Sequence, residues 1–381
     1  MDQFPKKLGG KLEKRNADNA LRQLSSARAG VDFSSNDYLG FSKIADITDR
    51  ATNIINAYKA SGLGATGSRL LTGNSELYDD VEKYIADFHF SEAALIFNSG
   101  YAANLGLLAS VPQRGDFILY DELAHASIRE GIVLSKAKPF KFKHNDLEAV
   151  RILAERLDRS PQTEVYVVTE SVFSMDGDSP NLKALSELCK RLKCRLIVDE
   201  AHAIGVTQRG MVVDAGIQDD IFARVVTFGK ALGCHGAAIL GSAELQTYLV
   251  NFARSFIYTT ALPSHTLASI KAAYEYLNSE GGEQKMELLN RNIAILRSYI
   301  EKYALNDLFI KSGSAIHSMI IPGNDAVKSF SHELLANGFD VRPILSPTVP
   351  ENKERIRICV HSFNTNSEIE QVMQRIATFV S

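Results

Sequence analysis

Val225-Val226-Thr227-Phe228-Gly229-Lys230-Ala231-Leu232-Gly233 starts as an apolar strand and runs into small residues, with one lysine at the junction. A lysine in that place is poorly suited to be a solvated charge. A desolvated lysine loses its proton more readily and becomes a nucleophile that can form an imine. The small neighbours let a planar ring come close. A surface lysine in a loop is the plain alternative.

Further strands of the same kind lie upstream. Short apolar runs at 94–97, 117–120, 165–169, 196–199, 225–228 and 237–240 predict strands. Between them, 74–88, 101–110, 127–135 and 182–192 have the apolar spacing of helices. Strands alternating with amphipathic helices predict an α/β domain with a mainly parallel sheet. Beyond about 264 the pattern changes to long helices at 265–277 and 283–303, runs at 316–321 and 355–360, and helices near 325–337 and at the end, which predicts a second, smaller α+β domain. Residues 1–30 read as a polar, basic helix, 46–60 as a helix and 68–73 as loop. The expected division is 1–45 as an N-terminal segment, 46–275 as the large domain and 276–381 as the small one.

Composition narrows the classes of function. The 381 residues carry a formal net charge of −3, with 45% hydrophobic and 23% charged residues. Such a chain is an ordinary globular protein with no basic field for nucleic acid. No apolar run approaches the ~20 residues of a membrane span, and the start lacks an apolar signal core, so a cytoplasmic protein is expected. Cys189, Cys194, Cys234 and Cys359 form no CxxC pair and no zinc-like cluster, so isolated reduced thiols and no metal are expected. Gly62-Leu63-Gly64-Ala65-Thr66-Gly67 matches the G-x-G-x-x-G dinucleotide fingerprint. That motif counts only after a strand and before a helix, and here a helix is expected before it and a loop after it.

In open α/β sheets the ligand crevice lies beyond the carboxyl ends of the strands. Those ends read Asn98-Ser99-Gly100, Glu170-Ser171, Asp199-Glu200-Ala201-His202 and Gly229-Lys230. Asp199 ends a buried strand, where a carboxylate needs a partner. It could cap the next helix, bind a metal, or hold a protonated heterocyclic nitrogen such as that of pyridoxal 5′-phosphate (PLP). His202 is either structural or a donor to a cofactor oxygen. His125 opens a helix and could stack on a ring. Ser99-Gly100-Tyr101 precedes a helix whose N-terminal N–H groups could bind phosphate, with Ser99 as its cap.

Taken together, Thr227 to Gly236, Phe33 to Gly40, Asp121 to Ser127, Thr169 to Asp178 and Val198 to His202 resemble, in order, the signatures of the α-oxoamine synthases. The resemblance covers nearly the whole chain. It implies a PLP-dependent transferase of fold type I, with a mainly parallel seven-stranded sheet. Within the family, Phe252 to Pro263, and Pro347 to Pro350 followed by Arg355 to Ile358, are similar to the branch that joins L-alanine to a pimeloyl thioester in biotin biosynthesis. A sister synthase using glycine or serine is the nearest alternative, and an ordinary PLP aminotransferase a more distant one.

The resemblance also implies roles. Lys230 carries PLP and later acts as base. Asp199 pairs with the pyridine nitrogen, His202 and Ser174 lie near the phenolate oxygen, and His125 stacks on the ring. Ser99, Gly100, Tyr101 and Thr227 hold the phosphate, and Thr260 reaches that of a neighbouring subunit in a homodimer with shared sites. Asn36 and Arg357 hold the amino acid. The acyl substrate arrives on CoA or an acyl carrier protein. Leu345 stands where many members of the branch carry arginine, and Arg22 is a candidate for the N-terminal acyl-site arginine.

Overall fold

The structure, a computed structural model, describes residues 4–24, 30–60 and 62–380. The chain divides into two compact units. One takes in Asn36–Ser174 and Ser179–Leu288, the other Met1–Ser35, Met175–Asp178 and Leu289–Ser381. In chain order the strands among the described residues are β1 (Val31–Asp32), β2 (Ala93–Phe97), β3 (Phe117–Asp121), β4 (Lys138–Phe142), β5 (Val165–Glu170), β6 (Arg195–Asp199), β7 (Ile221–Thr227), β8 (Ala237–Gly241), β9 (Ile316–Ile320), β10 (Phe339–Asp340), β11 (Arg342–Ile344) and β12 (Arg355–Cys359).

The larger unit contains the expected mainly parallel, seven-stranded sheet, in the order β2-β8-β7-β6-β5-β3-β4. Pairs from β7 through to β4 are parallel, whereas β8 runs antiparallel to both β7 and β2. The pleat sends alternate residues to opposite faces. Val165, Val167, Leu196 and Val198 join one apolar cluster with Leu185 and Leu188. Tyr166, Val168 and Ile197 join another with Leu107, Leu108 and Ile128. Burial on both faces explains why these strands are continuously apolar, each large side chain contributing roughly 1.5–3 kcal/mol.

The sheet edges are closed in different ways. On β2 the Ile96 N–H donates to Glu82 at 2.7 Å, and the Ala94 carbonyl accepts from Gln246 at 2.9 Å. Glu82 is in turn gripped by Arg69. The other edge, β4, was not expected from the sequence. Its Lys138, Pro139 and Lys141 are exposed and only Phe142 is buried, so it has no apolar run to read. Lysine and proline on an edge strand discourage pairing with another chain.

Two expectations near the N-terminus are corrected. The first helix is Lys6–Ala17 and buries no residue, so it does not extend to Gly30. Past Ala17 the described residues to Leu24 are not helical, and residues 25–29 lie outside the described residues. The stretch read as loop contains a single π-turn, Arg69–Gly73. A Cβ on Gly73 would sit 2.4 Å from the Gly67 carbonyl oxygen, which accounts for glycine there. Helix Ala45–Ala57, not a strand, precedes the G-x-G-x-x-G match, so the dinucleotide-binding context is missing.

The smaller unit is α+β, as expected. A three-stranded antiparallel sheet, β11-β12-β9, and the short parallel β1–β10 pair lie with helices Asn324–Ala336 and Asn366–Val380. Its core gathers Phe33, Leu296, Met319, Phe330, Ile356, Ile358, Val372 and Ile376.

Candidate active site

Strands β3, β5, β6 and β7 are parallel, and β2, paired antiparallel to the antiparallel β8, points the same way. Their carboxyl ends therefore open on one edge of the sheet, around a cavity of about 230 Å³. Of the residues expected at the site, Ser99, Gly100, Tyr101, His125, Asp199, His202, Thr227 and Lys230 line it. Asn104, Ser127, Glu170 and His235 line it too and were not singled out from the sequence.

Asp199 is buried at the end of β6. Its carboxylate accepts from Asn104 Nδ2 at 2.7 Å and from the Ala201 N–H at 2.9 Å. His202 is buried, and its Nδ1 lies 2.7 Å from the Tyr38 hydroxyl. That hydroxyl also reaches Asn36 at 3.1 Å, so Asn36 connects to the site through Tyr38 without lining the cavity. Lys230 is half-buried, three residues past the end of β7.

His125 caps helix Ala126–Leu134. Its N–H donates to Glu170 at 2.7 Å and its Nδ1 lies 2.8 Å from the Ser127 hydroxyl. The ring is open to the cavity, yet the protein atoms packed around it desolvate it. That desolvation and the Lys230 and Arg129 charges lower its pKa, against the attraction of Asp199. Burial, and then the Asp199 charge, push Glu170 the other way, up to about 8.

At the opposite wall, Ser99 caps helix Gly100–Ser110 by accepting the Ala102 N–H at 3.1 Å. A Cβ on Gly100 would come within 2.6 Å of the Thr227 methyl, so only glycine lets the helix start against β7. The Thr227 hydroxyl donates to the Ala201 carbonyl at 3.3 Å. Ser174 and Thr260 do not line the cavity; the Thr260 carbonyl accepts from Asn98 at 2.8 Å. In the smaller unit, Arg357 is buried on β12 with its guanidinium 2.8 Å from the Cys359 sulfur. Arg22 donates to the Thr348 hydroxyl at 3.0 Å, and Leu345 packs on the apolar core.

The donor set fits PLP. A helix N-terminus can offer backbone N–H groups to a phosphate, the buried Asp199 carboxylate is a partner of the kind a protonated ring nitrogen needs, and Lys230 lines the same cavity. Asn104 and Ser127 were not legible, because a single polar residue in or beside a helical run carries no mark of what it faces; Glu170 stood at a quoted strand end and Tyr38 in a quoted segment, but neither was given a role. For Asn104, a polar side chain amid the apolar helix Gly100–Ser110 was the signal available.

Comparisons with known proteins bear on the family and the fold. The profile of the class I and II aminotransferases matches residues 28–376. An 8-amino-7-oxononanoate synthase of Emericella nidulans is 40% identical over 374 residues, covering 92% of this chain and 90% of the relative. One from Geotalea daltonii is 38% identical, covering 90% and 86%. Among solved structures, the 8-amino-7-oxononanoate synthase of Francisella tularensis superposes with a TM-score of 0.76 at 28% identity, covering 92% of this chain and 98% of that one. A serine palmitoyltransferase of S. paucimobilis, solved with a bound PLP–myriocin aldimine, gives 0.86 at 23% identity, covering 98% and 96%, which speaks for the fold alone. That fold is the fold type I of PLP-dependent enzymes.

Proposed function

The chain belongs to the class I and II aminotransferase family, in its α-oxoamine synthase branch, and from that premise we propose that it condenses an amino acid with an acyl thioester and releases CO2. It is an acyl-transferring enzyme whose cofactor is PLP. We favour L-alanine and a pimeloyl thioester, on CoA or an acyl carrier protein, with 8-amino-7-oxononanoate as product for biotin biosynthesis. The observation that carries the reading is the single edge on which Lys230, Asp199, His125 and His202 meet.

Bound PLP supplies an electron sink for a carbanion at the substrate's α-carbon. Asp199 would keep its carboxylate toward the ring nitrogen. Gly100 and Tyr101 would offer backbone N–H groups to the phosphate, with Ser99 and Thr227 beside them. His125 would lie against the ring face, and His202 would act near the phenolate oxygen, as would Ser174 from outside the cavity lining. Lys230 would hold the cofactor, and its amine, once free, would take the α-proton as general base. The α-carbon attacks the thioester carbonyl, the thiolate leaves, the original carboxylate departs as CO2, and the carbon regains a proton. Asn36 and Arg357 would hold the amino acid, Arg357 through a bidentate bond to its carboxylate, and Arg22 the acyl chain. Thr260 would serve a neighbouring subunit of a homodimer. A cytoplasmic setting accords with the described helices, none of which is long and apolar enough to cross a membrane.

A sister synthase taking glycine or serine and another acyl chain is the second reading. Leu345, apolar and packed on the core, favours a different acyl end. The test is to give purified protein L-alanine, glycine or L-serine, each with pimeloyl-CoA, and to measure thiol and CO2 release. Product with L-alanine supports the proposal, and turnover with glycine instead would overturn the alanine assignment.

A further inference from the structure

Behind the lysine wall, four side chains form a continuous hydrogen-bonded row whose protons can be counted. An ionised carboxylate only accepts. Asp199 Oδ2 lies 2.7 Å from Asn104, so the amide must turn its NH2 group toward it. The reverse orientation would set a carbonyl oxygen against a carboxylate oxygen. The same amide nitrogen is 3.0 Å from the Ser127 oxygen, so its second hydrogen is donated there. The serine hydroxyl keeps its own hydrogen to donate, and His125 Nδ1 lies 2.8 Å away. The Ser127 backbone N–H points at that nitrogen as well, at 3.3 Å. With two donors aimed at it, Nδ1 carries no proton, and the neutral ring keeps its hydrogen on Nε2.

We propose that Asn104 and Ser127 are positioning residues that relay the orientation of the Asp199 carboxylate to His125 and hold its imidazole as the Nε2–H tautomer, presenting one N–H donor to the cavity. Asn104 and Ser127 are almost fully buried. Glu170 fixes the other end of the histidine, taking its backbone N–H at 2.7 Å. The ring is thus held at both its backbone and its Nδ1 edge. The lowered pKa of His125 agrees with a ring that stays neutral. In an α-oxoamine synthase, such a histidine gives a cofactor ring an uncharged face and offers an anionic substrate oxygen one directed hydrogen. That use rests on the proposed PLP reading, whereas the proton count involves no cofactor.

The experiment is nitrogen NMR of protein carrying 15N-labelled histidine, as apoprotein and after loading with PLP. His125 is assigned by the signals lost in His125→Asn. Wild type is expected to show a protonated Nε2 and an unprotonated Nδ1. Ser127→Ala and Asn104→Leu should lose that single pattern and give a tautomer mixture, and Ser127→Thr, which keeps the hydroxyl, should restore it. A wild-type His125 protonated at Nδ1, or a Ser127→Ala protein with an unchanged pattern, would overturn the proposal. Borohydride reduction of the loaded protein separates the two readings. If no pyridoxyl group is trapped on Lys230, the functional proposal fails whatever the tautomer. If it is trapped and the tautomer ignores Ser127 and Asn104, the positioning role alone fails.

Discussion

Lys230 was legible because a charge directly after an apolar strand is anomalous in one dimension, and Asp199 was legible for the same reason. Lys230→Ala is expected to abolish borohydride-trapped pyridoxyl adduct at the site, as read by mass spectrometry of the peptide carrying residue 230. An adduct of wild-type yield on another lysine would contradict the assignment. Glu170 offers a test of a different kind. Its pKa rises from about 4.5 to about 8 on folding, through burial and then the Asp199 charge. The folded state therefore binds more protons than the unfolded one across that window, and its contribution to stability is lost as pH rises through it. Glu170→Gln, which still accepts the His125 N–H, should remove that contribution, so that stability of the apoprotein changes more favourably with rising pH between about pH 5 and pH 8 than it does in wild type. Urea midpoints measured across that range decide it, and equal slopes in the two proteins would contradict it.

Among the elements, the strands buried on both faces were read from the sequence, because burial leaves a continuous apolar run. Strand β4 was missed because it buries one residue, and the first helix was overextended because polar composition sets no end point. Helix Gly100–Ser110 shows how much can hang on one terminus. Ser99→Ala removes a cap and should cost about 1 kcal/mol, seen as a lower urea midpoint. Gly100→Ala acts otherwise, since its Cβ would press on the Thr227 methyl at 2.6 Å and move the helix start from β7. It should weaken PLP binding by roughly tenfold or more, about 1.4 kcal/mol. Equilibrium titration with PLP measures this, and unchanged affinity would remove the phosphate role from this helix start.

At the scale of the whole molecule, two of the buried histidines, His89 in the larger unit and His317 in the smaller, bear on acid stability. Burial lowers the pKa of His89 to about 3 and that of His317 to about 4, from an ordinary 6.5. A histidine depressed in the folded state favours folding above its unfolded value, and that contribution is lost as pH falls toward the folded value. Stability of the apoprotein should therefore drop below about pH 6.5, by a few kcal/mol near pH 4. Replacing His317 by Asn should reduce that slope, as followed by denaturant midpoints against pH; an unchanged slope would assign the acid lability elsewhere. The return of Met175–Asp178 to the smaller unit was not visible in the sequence, because four residues carry no periodicity.

The antiparallel strand β8 has one more consequence, in time. Within the sheet, β2 pairs with β8 alone, so Ala93–Phe97 has no ladder until Ala237–Gly241 has been made. At ribosomal speeds that wait is on the order of ten seconds. Throughout it the nascent chain carries an apolar five-residue strand that already has Glu82 to cap one side and nothing to zip along the other. Lys230 emerges just before β8 does, so the sheet edge on which β2 depends closes only a few residues after that lysine is made.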